Sequence, residues 1–104
     1  MIPTDDTLCV ESIKLIMKIF GGRWSFAIMG ELHVGAKRFN ELNRSLGIST
    51  KSLSDALKNL ELNEVIIRSV RPTTPVTVEY SLTQKGRDFE EVFIAMKNWG
   101  IKWL

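Results

Sequence analysis

Two side chains with reactive chemistry of their own near neutral pH, Cys9 and His33, each occur once in this sequence. A nucleophilic enzyme needs a nucleophile beside a base, and a metalloenzyme needs a converging ligand set. One thiol, one imidazole and scattered carboxylates furnish neither, so no enzyme activity, no cofactor and no metal site are expected. His33 falls near a helix end beside Gly35 and reads as a terminal cap or surface group. Cys9 lies at the start of the first helical segment, where unpaired backbone N–H groups favour a thiolate, while Asp5 and Asp6 oppose it. It is the redox candidate. With no second cysteine in the chain, its oxidation would end as an intersubunit Cys9–Cys9 bond or as a mixed disulfide. The alternative is an inert, small apolar residue.

A second group of residues has binding chemistry. Ser49, Thr50, Lys51, Ser52, Ser54, Asp55 and Lys58 bring hydroxyls, two ammonium groups and a carboxylate to one short segment. Such groups hydrogen-bond phosphates and base edges, although a solvated helix face has similar residues. Lys37 and Arg38 precede the segment, and Arg68, Arg71, Thr73 and Thr74 follow it. The chain's net charge of only +2 decides nothing, but residues 37–71 carry seven Lys and Arg against four Asp and Glu. That mild basic bias suits nucleic acid.

Position then depends on the elements. Ile13, Ile16, Met17 and Phe20 mark one stripe of a helix over 10–20, with Leu15 and Ile19 on another side, and Gly21-Gly22 is expected to end it in the left-handed conformation. A helix apolar on two sides needs two partners. Residues 24–32 form a second short helix, with Trp24, Ala27 and Ile28 toward the core. Phe39, Leu42 and Leu46 mark a third, which stops at Gly47. Ser49 is placed to cap a fourth helix, Thr50 to about Leu62, whose core face is Leu53, Ala56, Leu57 and Leu60. Helix, glycine turn and capped helix make a helix-turn-helix, and the polar residues fall on the side away from the leucines.

Asn63 tolerates the left-handed conformation past a helix end, and the β-branched run 65–71 then reads as a strand. Residues 76–82 alternate apolar and polar and form its hairpin partner across Pro72-Thr73-Thr74-Pro75. This is a two-stranded wing. Thr83 caps a last helix over 84–104, with Phe89, Val92, Phe93, Met96 and Trp103 on a stripe and Trp99 at its border. A chain of 104 residues has little core left for that much apolar area, so Leu15, Ile19 and this stripe are expected to form a homodimer interface.

No apolar run approaches the length of a membrane span, and the first residues lack the features of a leader, so a cytoplasmic protein is expected. The fold class is α+β, mainly α, with residues 1–104 as one winged helix-turn-helix domain and 10–20 and 84–104 as its dimerisation helices.

Four stretches sharpen this. Gly21-Gly22-Arg23-Trp24, Lys37 to Leu42, Ile48 to Glu61 and Val78 to Gly86, in this order and spacing, resemble the HxlR family of MarR-related winged-helix regulators. The resemblance implies dimeric bacterial transcription factors, frequently repressors, that contact double-stranded DNA through the fourth helix and the wing and pair through the first and last helices. Some members carry a sensing cysteine near the N-terminus. There it is commonly followed by proline, whereas Cys9 is followed by Val10 and stands slightly further from Gly21. The expected function is thus a dimeric, sequence-specific regulator on an inverted repeat, with an oxidant or small-molecule effector as a further partner. The rival function is a winged-helix domain that binds protein.

Overall fold

The computed structural model describes residues 6–104; residues 1–5, which hold Asp5 and the segment read for a leader, lie outside them, as do the side chains of Asp6 and Thr7. Helix α1 spans Asp6–Phe20, yet among its described side chains only Phe20 is buried and Ile19 half-buried. It ends at Gly21 as expected, but neither Gly21 nor Gly22 takes the left-handed conformation. Gly21 is needed because a Cβ there would collide with the Met17 carbonyl.

Helix α2, Ser25–Val34, buries Ile28, Met29 and Leu32. Strand β1 is the pair Lys37–Arg38, and it leads straight into α3, Phe39–Leu46, whose Leu42 is buried. Gly47, at φ 61°, closes α3 with its N–H on the Asn43 carbonyl, and the Asn43 amide donates to the Ile48 carbonyl at 2.7 Å. This stiffens the turn. Helix α4, Thr50–Leu62, starts at Ser49, whose hydroxyl accepts from the Ser52 N–H, and buries Leu53, Leu57 and Leu60. Past α4 the left-handed residue is Glu64, at φ 62°, and not Asn63, which keeps φ at −87° while its amide caps the Asn59 carbonyl.

Strands β2, Ile66–Arg71, and β3, Thr77–Leu82, form the antiparallel wing. That hairpin is the expected two-stranded wing, and the sheet to which it belongs has a third strand. β1 pairs with the other edge of β3, giving the order β1-β3-β2. A two-residue strand leaves no alternation to read, so only the third-strand pairing reveals it.

The last helix is also divided. Thr83 caps a single turn, α5, Gln84–Arg87, by accepting from the Gly86 N–H, and α6 then runs over Glu90–Trp103. Gly86 packs so closely on the Val65 carbonyl that a Cβ would overlap it. That close approach holds α5 on the wing base while the chain turns at Asp88-Phe89 to start α6.

The core lies among α2, α3, α4 and the sheet, and it reaches α6 only at its start. Phe20 and Phe89 stack at 4.4 Å, and Phe93 meets Phe89 edge-on at 5.4 Å. His33 is no surface cap: it is half-buried, edge-on to Phe93 at 5.1 Å, with its Nε2 buried and without a hydrogen-bond partner among the described residues. The radius of gyration is 15.3 Å, against about 13 Å for a compact chain of this length, and the long axis reaches 54 Å.

Candidate nucleic-acid interface

Helical spacing places Lys51, Asp55, Lys58 and Leu62 along one exposed ridge of α4, opposite the buried leucines. Thr50, Ser49 and Ser52 are exposed at its first turn, where Ser49 already serves as cap. Lys51 and Asp55 form an exposed pair at 3.1 Å, one helical turn apart. Lys58 joins no ion pair among the described residues.

Shallow grooves flank this ridge. On one side, Ser54, Leu57, Lys58 and Glu61 of α4 face Arg68 and Tyr80 of the sheet across a groove of about 430 Å³. On the other, Ser52, Asp55, Ala56 and Asn59 face the chain from Gly22 to Ser25 across about 360 Å³. The Asn59 amide donates to the Ile19 carbonyl at 2.9 Å and fixes α4 against the end of α1.

The wing arginines part company. In register, Arg68 stands opposite the buried Tyr80, so its side chain shares the sheet face that looks toward α4. Arg71 is three residues on and therefore on the other face, where its Nε donates to Glu79 at 2.6 Å. Thr73, in the tip, turns its hydroxyl onto the Pro75 carbonyl. Lys37 and Arg38 sit on the far edge of the sheet from Arg68, and Lys37 lines a third groove with Glu31, Glu41 and Arg44. The Arg38 N–H is held by the Glu41 carboxylate at 2.9 Å. The structure therefore brings Ser54, Lys58 and Arg68 together and leaves Lys37, Arg38 and Arg71 apart from them.

Arg23 is a residue that charge and periodicity do not single out. It is exposed beside α4, its guanidinium carbon 5.3 Å from the Trp24 ring centroid. Its place in the Gly-Gly-Arg-Trp run is the available signal, but only the packing of the start of α2 on α4 shows where it points. Among the described residues no three His, Cys, Asp or Glu side chains converge as a metal site, and no helix is long and apolar enough to cross a membrane.

The expected pairing residues differ among themselves. Leu15 is 59% exposed and Ile19 half-buried. Val92, Met96, Trp99 and Trp103 are exposed, whereas Phe89 and Phe93 are half-buried against Phe20 and Phe26 of their own chain. Cys9 is exposed in the first turn of α1.

The sequence model of the HxlR-like helix-turn-helix family matches residues 19–104, which include every element from the end of α1 onward. The chain belongs to the HxlR family. As a family member it is a DNA-binding helix-turn-helix transcriptional regulator and not an enzyme. It is 40% identical over 95 residues to the HTH-type transcriptional regulator YodB of Bacillus subtilis, spanning 90% of this chain and 84% of that one. Its fold matches the redox regulator HypR in its oxidized form with a TM-score of 0.82 at 34% identity, over 88% of this chain and 95% of HypR. The reduced form of YodB from B. subtilis matches with a TM-score of 0.80 at 36% identity, over 99% of this chain and 95% of that structure. The winged helix-turn-helix architecture follows from these matches as well as from the packing.

Proposed function

We propose that this HxlR-family chain is one DNA-binding domain that acts in the cytoplasm as a homodimeric repressor on an inverted-repeat operator. The observation that carries this reading is the α4 ridge with Lys58 and Arg68 on one flank, where polar and cationic groups occupy the face of the helix turned away from the core. Paired copies would set two such helices about 34–36 Å apart, one turn of the duplex. The pairing surface would be α1 and α6, whose exposed apolar side chains include Leu15, Val92, Met96, Trp99 and Trp103. Duplexes selected by the protein from a random pool should share two symmetric half-sites. Lys58→Ala should weaken binding and lower the salt slope by about one unit for each phosphate no longer neutralised. Unchanged binding by Lys58→Ala and Arg68→Ala together would overturn this interface.

Regulation by thiol chemistry is favoured by the exposure of Cys9 in the first turn of α1, next to the surface that would pair. The matched structures of HypR and YodB are both described by redox state. A direct Cys9–Cys9 bond requires the two Cα atoms within about 7 Å across the dimer, and otherwise the product is a mixed disulfide. Diamide or a quinone should change operator affinity of the wild type and not of Cys9→Ser. Equal affinity before and after verified modification would leave the effector as a non-thiol ligand.

A further inference from the structure

We infer that Arg23 is a phosphate-binding residue for the DNA strand across the major groove from the strand met by the wing. The inference rests on the duplex-binding reading and extends it to a residue outside the helix-turn-helix and wing. With its side chains an α-helix is about 10–12 Å across, close to the roughly 12 Å width of the major groove. When the α4 ridge occupies that groove, one phosphate backbone passes along each side of the helix. One side is the groove holding Lys58 and Arg68. The other is the groove that Arg23 and Trp24 form with Ser52, Asp55 and Asn59.

The chemistry of this second groove fits a phosphate. Arg23 is exposed and joins no ion pair among the described residues. The Trp24 ring, half-buried and so fixed, lies 5.3 Å beneath the guanidinium and limits its directions while leaving its N–H groups available. The first turn of α2 carries no acidic side chain. The one carboxylate in the groove, Asp55, is held by Lys51 at 3.1 Å. Ser52 supplies a hydroxyl from α4 itself. Arg23 and Arg68 thus bracket the ridge from two places remote in sequence, the start of α2 and β2, and a bidentate guanidinium on each backbone would fix the roll of α4 in the groove.

The test uses the full chain and a labelled duplex that the wild type selects from a random pool. For Arg23→Ala the slope of log K against log salt should become shallower by about 0.9 for each phosphate released, hence by nearly two units if a dimer releases two. Arg23→Lys, which keeps the charge and weakens the stack, should restore most of that slope. Methylphosphonates placed singly along each strand should abolish the difference between wild type and Arg23→Ala at positions on one strand. The positions that do so for Arg68→Ala should lie on the other. A wild-type slope for Arg23→Ala, alongside a reduced slope for Lys58→Ala, overturns the role of Arg23 and leaves the duplex-binding reading standing. A loss in Arg23→Ala that Arg23→Lys does not restore, with no phosphate position that cancels it, also overturns it by marking the residue as structural. No duplex selected by the wild type would remove both.

Discussion

Helices α4 and α6 have nearly the same length, 13 and 14 residues, and both present an apolar stripe, yet α4 buries three leucines while no residue of α6 is buried. The difference is where the partner surface lies. The stripe of α4 closes on α2, the sheet and the end of α1, so its other face is free to be polar. That of α6 meets its own domain only near Phe89 and Phe93, and beyond them Met96, Trp99, Ile101 and Trp103 stand in solvent, Ile101 at 75%. Apolar area of that extent on a small chain is the surface that the proposed pairing would cover. One helix is finished within the chain and displays chemistry, and the other awaits a surface.

That contrast can be broken most severely at the two ends of α6. Phe93→Ala removes a half-buried aromatic packed against the core and should cost up to about 3 kcal/mol, the low end of the range for buried aromatics, lowering the denaturation midpoint at every protein concentration. Trp103→Ala should leave the fold of each copy intact and cost association about 2 kcal/mol or more, read by light scattering as a shift to monomer. If Trp103→Ala instead lowers stability independently of concentration, α6 belongs to its own domain and the contrast with α4 disappears. At the start of α4, Ser49→Ala removes the cap and should cost about 1 kcal/mol in urea denaturation. The smallest effect is expected at the wing: Arg71→Ala breaks an exposed pair with Glu79 and should change stability by about 0–1 kcal/mol, with DNA affinity far less affected than in Arg68→Ala. Equal affinity losses at Arg68 and Arg71 would show that the sheet face does not select between them.

Local patterns in the sequence mark the elements well where several signals coincide. The bounds of α4, its Ser49 cap and its leucine face follow from polar-to-apolar spacing alone. Cooperation across the chain is not legible. Lys37-Arg38 becomes a strand because the edge of β3 is available, which no pattern within two residues can announce. The stripe of the last helix runs through Asp88-Phe89 without interruption, so periodicity cannot show that the close seat of Gly86 on Val65 turns the chain there. The same holds at Glu64, where a residue with no preference for positive φ takes it because Asn63 is used to cap Asn59. In the site, Arg68 and Arg71 look equivalent as letters, and strand register separates them.

The turn at Phe89 gives the molecule a crank. Phe89 sits in a bearing, its ring stacked on Phe20 and near Phe26, while α5 is bolted to the wing base: Thr83 donates its N–H to the Val65 carbonyl and its hydroxyl to the Glu64 carbonyl, and Lys85 reaches the Asn63 carbonyl. These anchors lie where α4 ends and β2 begins. From that bearing the 14 residues of α6 extend about 21 Å, so a swing of about 10° carries the far end through about 4 Å. In the homodimer proposed above, the direction in which α6 leaves this joint would therefore bear on the separation of the two α4 helices.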